Sequence, residues 1–157
     1  MIEKNVNPYV VFLPTENKSK MLSSIFGSKA AVAILKFSLT KGTANKIYQN
    51  DLIKNLAYSN KTVIETTKLL TKLEVLMESM EKTRRSGRIV WVKVYQLSDI
   101  GKWFALLLAE EKDLSLEEKR EILEGIFRRY VRWMKRFSLS VHVDEKVLKR
   151  IFEEEMK

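Results

Sequence analysis

The sequence predicts a mostly helical α+β fold. Three observations predict it. Apolar residues recur at helical spacing over residues 61–74 and again over 115–137. Between them the pattern changes to alternation, over 76–83 and 88–97, the period of a strand. No proline interrupts the chain after Pro14.

Each element follows from local signals. Pro8 and Pro14 bracket Tyr9-Val-Val-Phe-Leu13, so residues 1–14 read as an extended arm with an edge strand. A short helix is expected over 16–26, with Thr15 as its cap. Ser28 caps the next helix, which runs to about residue 40. Ala31, Ile34 and Leu35 share one side of it, with Val32 and Leu39 close by, as in a helix wrapped by its domain. Lys41-Gly42 ends it, a cation followed by a glycine. Residues 43–48 allow a strand of two or three residues. Asn50-Asp51 opens a short helix carrying Leu52, Ile53 and Leu56, which stops at Tyr58-Ser59-Asn60. A longer helix follows over 61–74, with Val63, Thr67, Leu70 and Leu73 on one face. The two alternating runs are joined by Arg84-Arg85-Ser86-Gly87 and form a β-hairpin with a basic tip. Ser98 caps a helix with Trp103, Phe104, Leu106 and Leu107. Ser115-Leu-Glu-Glu118 is a capping box opening a helix to Phe137, and Asp144 caps a final helix.

The composition excludes several functions. The chain has no cysteine, which removes disulfide scaffolds, thiolate zinc sites and cysteine nucleophiles. The longest apolar run, from Trp103 to Ala109, is far short of a membrane span, and residues 1–10 lack the apolar core of a signal peptide. A soluble cytoplasmic, nucleoid-associated protein without membrane contact is therefore expected. The 29 Lys and Arg exceed the 20 Asp and Glu, a formal charge of +9 that favours a polyanionic partner. Two Gln, no Cys and abundant Lys and Glu fit a thermophilic source. His142 is the sole histidine and sits in a connector, so it reads as an exposed polar residue rather than a ligand. No Ser/His/Asp arrangement and no Gly-rich phosphate loop is present. No enzyme activity and no metal or other cofactor is expected.

Three stretches, in order, resemble one family. They are Phe26-Gly-Ser-Lys-Ala-Ala-Val-Ala-Ile-Leu35, then residues 52–70, then Tyr95-Gln-Leu-Ser-Asp-Ile-Gly101. They are similar to the first helix, the helix-turn-helix, and the Tyr-x-Leu-Thr-x-x-Gly wing end of winged helix-turn-helix proteins. The resemblance is to MarR/ArsR-type transcriptional regulators of prokaryotes, archaea in particular, and covers roughly residues 25–110. It implies an N-terminal arm (1–24), a winged-helix DNA-binding domain (25–112) and a C-terminal helical dimerisation region (113–157). Two departures stand out. The family pattern has Gly-Leu-Val where its recognition helix ends, and Glu74, Val75 and Leu76 stand there. The turn of the helix-turn-helix also lacks the usual small residue and glycine.

The physical reading of the same residues is compatible with DNA. With Val63, Thr67, Leu70 and Leu73 inward, the outward face would carry Lys61, Thr62, Glu65, Thr66 and Lys68, on a helix that fits a major groove. Ser59 and Asn60 stand at its N-terminus, where backbone amides can meet a phosphate. Lys82, Arg84, Arg85 and Arg88 place four cations at the hairpin tip, suited to phosphates or a minor groove. Both sets also fit an ordinary solvated face. Trp91, Tyr95, Trp103 and Phe104 suit either a base-stacking platform or a core between hairpin and helix, and the core is expected.

The long helix carries Leu116, Leu123, Tyr130 and Phe137 at heptad spacing, with Ile126 and Trp133 at a second seam position. Ile122, Phe127, Val131 and Met134 widen the stripe. Packing within one domain would account for it, but the resemblance implies an intersubunit role in a homodimer. The function expected is sequence-specific double-stranded DNA binding by a dimeric regulator, a repressor acting by occlusion. The alternative is a winged-helix interaction or architectural module in basal transcription, replication or a protein assembly. No residue set announces a small-molecule effector pocket.

Overall fold

The computed structural model describes residues 18–110 and 113–157; the arm strand over 9–13 and the Thr15 cap lie outside them. Helix α1 spans Lys18–Phe26 and α2 Lys29–Lys41; strand β1 is Ile47–Tyr48, followed by α3, Gln49–Asn55, and α4, Asn60–Lys72. Strands β2 (Leu76–Arg85) and β3 (Arg88–Leu97) form a hairpin, and helices α5 (Asp99–Leu108), α6 (Leu116–Ser140) and α7 (Glu145–Glu155) complete the chain. The sheet is antiparallel in the order β1-β3-β2. Among the described residues no helix is long and apolar enough to cross a membrane.

Five helix starts are fixed by side-chain caps, whereas α3 starts at Gln49 after Tyr48, which makes no side-chain cap bond. Ser28, Ser59, Ser98 and Ser115 each accept from the amide three residues on, and Asp144 accepts from Lys146 N. The capping box is complete: Glu118 reaches back to Ser115 N at 2.8 Å. The first hairpin strand runs further than the alternation implied, to Arg85, and the second spans the expected 88–97, leaving a two-residue turn. Ser86 (φ 46°) and Gly87 (φ 77°) both take the left-handed conformation that such a turn requires.

One core holds the first five helices and the sheet together. Leu22, Phe26, Ile34, Leu35, Leu52, Val63, Leu70, Tyr95 and Phe104 are buried within it, and Phe26 meets Phe104 edge to face at 5.2 Å. Leu114, Ile122 and Ile126 join the same core, so the first turns of α6 are docked onto α5. Beyond Ile126 only Ser138 of α6 is buried, and α7 buries no residue at all. α7 turns back along α6: Phe127 and Phe152 lie 5.7 Å apart, and Lys135 pairs with Glu145 at 3.3 Å.

Candidate nucleic-acid interface

A network of polar contacts fixes α4 against the hairpin. The Tyr95 hydroxyl donates to Thr67 Oγ1 at 3.2 Å, and Gln49 Nε2 donates to Tyr95 at 3.3 Å, so α3, α4 and β3 meet at one buried ring. At the other end of α4 the chain makes a Schellman turn. Val75 N donates to Leu70 O and Glu74 N to Thr71 O, while Glu74 takes φ 58°. Glutamate thus occupies a left-handed position where glycine is the easier residue. The Ser98 hydroxyl reaches Glu74 O (2.6 Å) and Val75 O (3.1 Å). Gly101 packs so closely that a Cβ there would lie 2.1 Å from Val75 O. This contact requires glycine and sets the angle between α4, the hairpin and α5.

The exposed edge of α4 carries Ser59, Asn60, Lys61, Glu65 and Lys68, with Thr62 half-buried. Lys61 and Glu65 lie 3.9 Å apart across one turn. Ser59 Oγ accepts from Thr62 N (3.1 Å) and meets Thr62 Oγ1 at 2.8 Å, so both hydroxyls serve the helix cap. Thr66, expected on the outward face, is instead only 5% exposed. The reason is helical geometry: Thr66 is three residues from Val63 and four from Leu70, which puts it on their stripe.

The hairpin is braced on one face and bare on the other. Glu81 binds Lys46 and accepts from the Tyr48 hydroxyl at 3.0 Å, tying β2 across to β1. Hydrogen bonds from Lys46 and then Tyr48 hold the Glu81 carboxyl below its usual range. The same bonds raise the Lys46 ammonium and the Tyr48 hydroxyl. With its amide oxygen turned towards the tip, Asn50 accepts from the Arg85 guanidinium at 2.8 Å. Arg85 is therefore folded back. Arg84 and Arg88 are exposed with no partner among the described residues.

The other face is not covered by the expected aromatic core. Trp91, expected in the core with Tyr95, Trp103 and Phe104, is 59% exposed, whereas Tyr95 and Phe104 are fully buried and Trp103 half-buried. β1 pairs with β3 only at Tyr95 and Val94, so the hairpin runs on past the body with nothing to cover it. Lys82 Nζ sits 5.0 Å from the centre of the Trp91 ring. Sequence reasoning missed Ile89 and Met80, which share this face and are also exposed. Counting strand residues beyond the short β1 partner would have found them.

The expected seam on α6 divides. Ile126 is buried in its own domain's core, because the first turns of α6 dock on α5 through Ile122 and Ile126. Leu116, Leu123 and Phe137 are exposed. Tyr130 and Trp133 are half-buried and stack in sequence with Phe137, at 6.4 and 5.1 Å between ring centres. Glu124, Phe127, Arg128, Val131 and Arg132 line an open groove of about 700 Å³ along the same helix. His142 is exposed and ends α6 in a left-handed turn, φ 56°. No group of acidic or histidine side chains among the described residues could hold a metal ion.

Comparison with known proteins returns no match: no family model fits the chain, and no curated protein matches it.

Proposed function

We propose that the protein binds double-stranded DNA sequence-specifically as a homodimer and regulates transcription, as a repressor acting by occlusion. In this reading the chain is a winged helix-turn-helix protein. α3 and α4 are the helix-turn-helix, α4 is the recognition helix and the β2–β3 hairpin is the wing. One observation carries it: an exposed helix edge with Asn60, Lys61, Glu65 and Lys68 stands fixed beside a projecting hairpin with free Arg84 and Arg88. The helix width suits a major groove, and the arginines suit phosphates flanking it. Leu116, Leu123 and Phe137 supply the exposed apolar surface that a second copy would cover.

The test is electrostatic. A dimer using two helices and two wings would neutralise about 6–10 phosphates, so log K should fall steeply with log salt. Affinity that stays constant from about 50 to 200 mM salt rejects DNA as the partner. A second reading, a winged module that reads no sequence, is favoured by the burial of Thr66 and the capping duty of Thr62. Those leave few side chains free for base edges. Selection from random duplexes separates the two: one enriched motif supports the regulator, and a flat pool supports the module.

A further inference from the structure

The exposed face of the hairpin has a regular composition. Met80 stands opposite Lys93, Lys82 opposite Trp91, and Arg84 opposite Ile89. Directly opposed residues share a face, so three successive rungs each present one cation and one large apolar side chain. The apolar member is 47% exposed at Met80, 59% at Trp91 and 66% at Ile89. Towards the body this same face buries Tyr95, Leu97 and Leu76. Lys93 is held by Glu78 at 2.9 Å, Lys82 stands 5.0 Å from the centre of the Trp91 ring, and Arg84 is exposed beside them; Arg88 lies on the opposite face with Glu81. Glu81 lies on the opposite face, bound to Lys46 and Tyr48.

Phosphates alone do not account for this face, since they call for cations and gain nothing from an exposed indole. Paired bases in a duplex are stacked on one another and offer no free ring face. Unpaired bases do. An aromatic side chain on a sheet, set among cations, is how proteins hold single strands: the ring stacks on a base while the cations follow the backbone. We propose that this face binds an unpaired DNA strand, with Trp91 as the stacking platform and Lys82 and Arg84 as phosphate partners. Ile89 and Met80 flank the ring and shield the stacked base from water. The three rungs extend over about 13 Å of strand. The inference rests on the DNA-binding reading for its setting: α4 on the duplex would leave the hairpin face to a melted stretch beside it.

The experiment compares three fluorescent probes at one salt concentration: a duplex, the same duplex with a central bubble of mismatched thymidines, and a thymidine single strand. The native protein should bind the bubble roughly ten-fold more tightly than the duplex. Trp91→Ala should lose that gain and weaken the single strand about 5- to 100-fold, with duplex binding nearly unchanged. Trp91→Phe should keep most of the gain, and the quenching of tryptophan emission by the bubble should disappear in that variant. Because Trp91 is outside the core, circular dichroism should show both variants folded. Lys82→Gln with Ile89→Ala provides an independent second test. Equal binding of bubble and duplex by the native protein overturns the proposal, as does a bubble preference that survives Trp91→Ala. Loss of dimerisation in Trp91→Ala, with nucleic-acid binding intact, would assign the face to a second copy instead and also overturn it. Failure of the wider reading looks different: single strand bound, but duplex not bound at any salt.

Discussion

Helices α2 and α6 show how differently this chain uses apolar residues. α2 has 13 residues and buries seven of them. α6 has 25 and buries three, two of which lie in its first half against α5. Both are rich in large apolar side chains, but α6 adds 11 charged residues among its 25 against three among the 13 of α2, and their positions differ as well. α2 is surrounded by α1, α4 and α5, whereas beyond Ile126 α6 meets the domain through the Arg129–Glu74 ion pair and carries Phe127, Val131 and Phe137 exposed, with α7 beside it. Stability is concentrated in the first region. The second displays surface that gains free energy only when something covers it.

The largest expected effect tests that division directly. Phe104→Ala empties a fully buried site that touches Phe26, and should cost about 3–5 kcal/mol in chemical denaturation. Phe152→Ala, on α7, should cost well under about 1 kcal/mol in the isolated chain. Equal losses would mean that α7 is as much part of the core as α5. Next comes assembly. Leu123→Glu with Phe137→Glu changes two exposed positions, so the chain should stay folded while sedimenting as a monomer. Full-site DNA affinity should then fall about 100-fold or more, because two linked half-sites become independent. A dimer that persists in this variant would remove the α6 surface from the interface. Ile126 is unsuitable for such a test, since a charge there would unfold its own domain.

The hairpin repeats the contrast on a smaller scale, packed at its base and bare towards its tip. Arg84→Ala with Arg88→Ala should leave the unfolding midpoint unchanged. It should lower affinity for every duplex at least about ten-fold and reduce the salt slope by about four, since both side chains are free to meet phosphates in each of the two protomers. Arg85→Ala should do less, because Asn50 already holds that guanidinium. A full salt slope in the double variant would make the tip a solvated turn.

These differences also explain what the sequence could convey. Caps were legible at Ser28, Ser98, Ser115 and Asp144 because a cap is a contract between residues two or three apart. The hairpin was legible because the pleat forces a period of two. Thr66 is inward by its spacing from Val63 and Leu70, beside the equally buried Thr67, so position on the helix outranks polarity there. Trp91 and Ile126 could not be placed from pattern alone. Strand alternation gives the face of Trp91 but not where the body beneath that face ends. Heptad spacing groups Ile126 with Leu123, but only the docking of α5 decides which one is covered.

The smallest expected effect concerns the link between the two regions. Glu74 ends α4 in a left-handed conformation, and its carboxylate meets Arg129 of α6 at 3.3 Å. Two contributions oppose each other there. A non-glycine residue at φ 58° is strained by about 1 kcal/mol relative to glycine. The ion pair is solvent-exposed on both sides and is worth about 0–1 kcal/mol. Glu74→Gly relieves the first and removes the second, and it also restores some freedom to the unfolded chain. The strain should win narrowly, giving about 0.5 kcal/mol of stabilisation in thermal unfolding, whereas Arg129→Ala should cost no more than about 0.5 kcal/mol. Combining the two substitutions separates the contributions: once Arg129 is gone, Glu74→Gly should stabilise by more than it does alone, the increment being the worth of the ion pair. If Glu74→Gly destabilises in both backgrounds, the Schellman turn is not the strained element, and the side chain stabilises the end of α4 by some route other than its contact with α6.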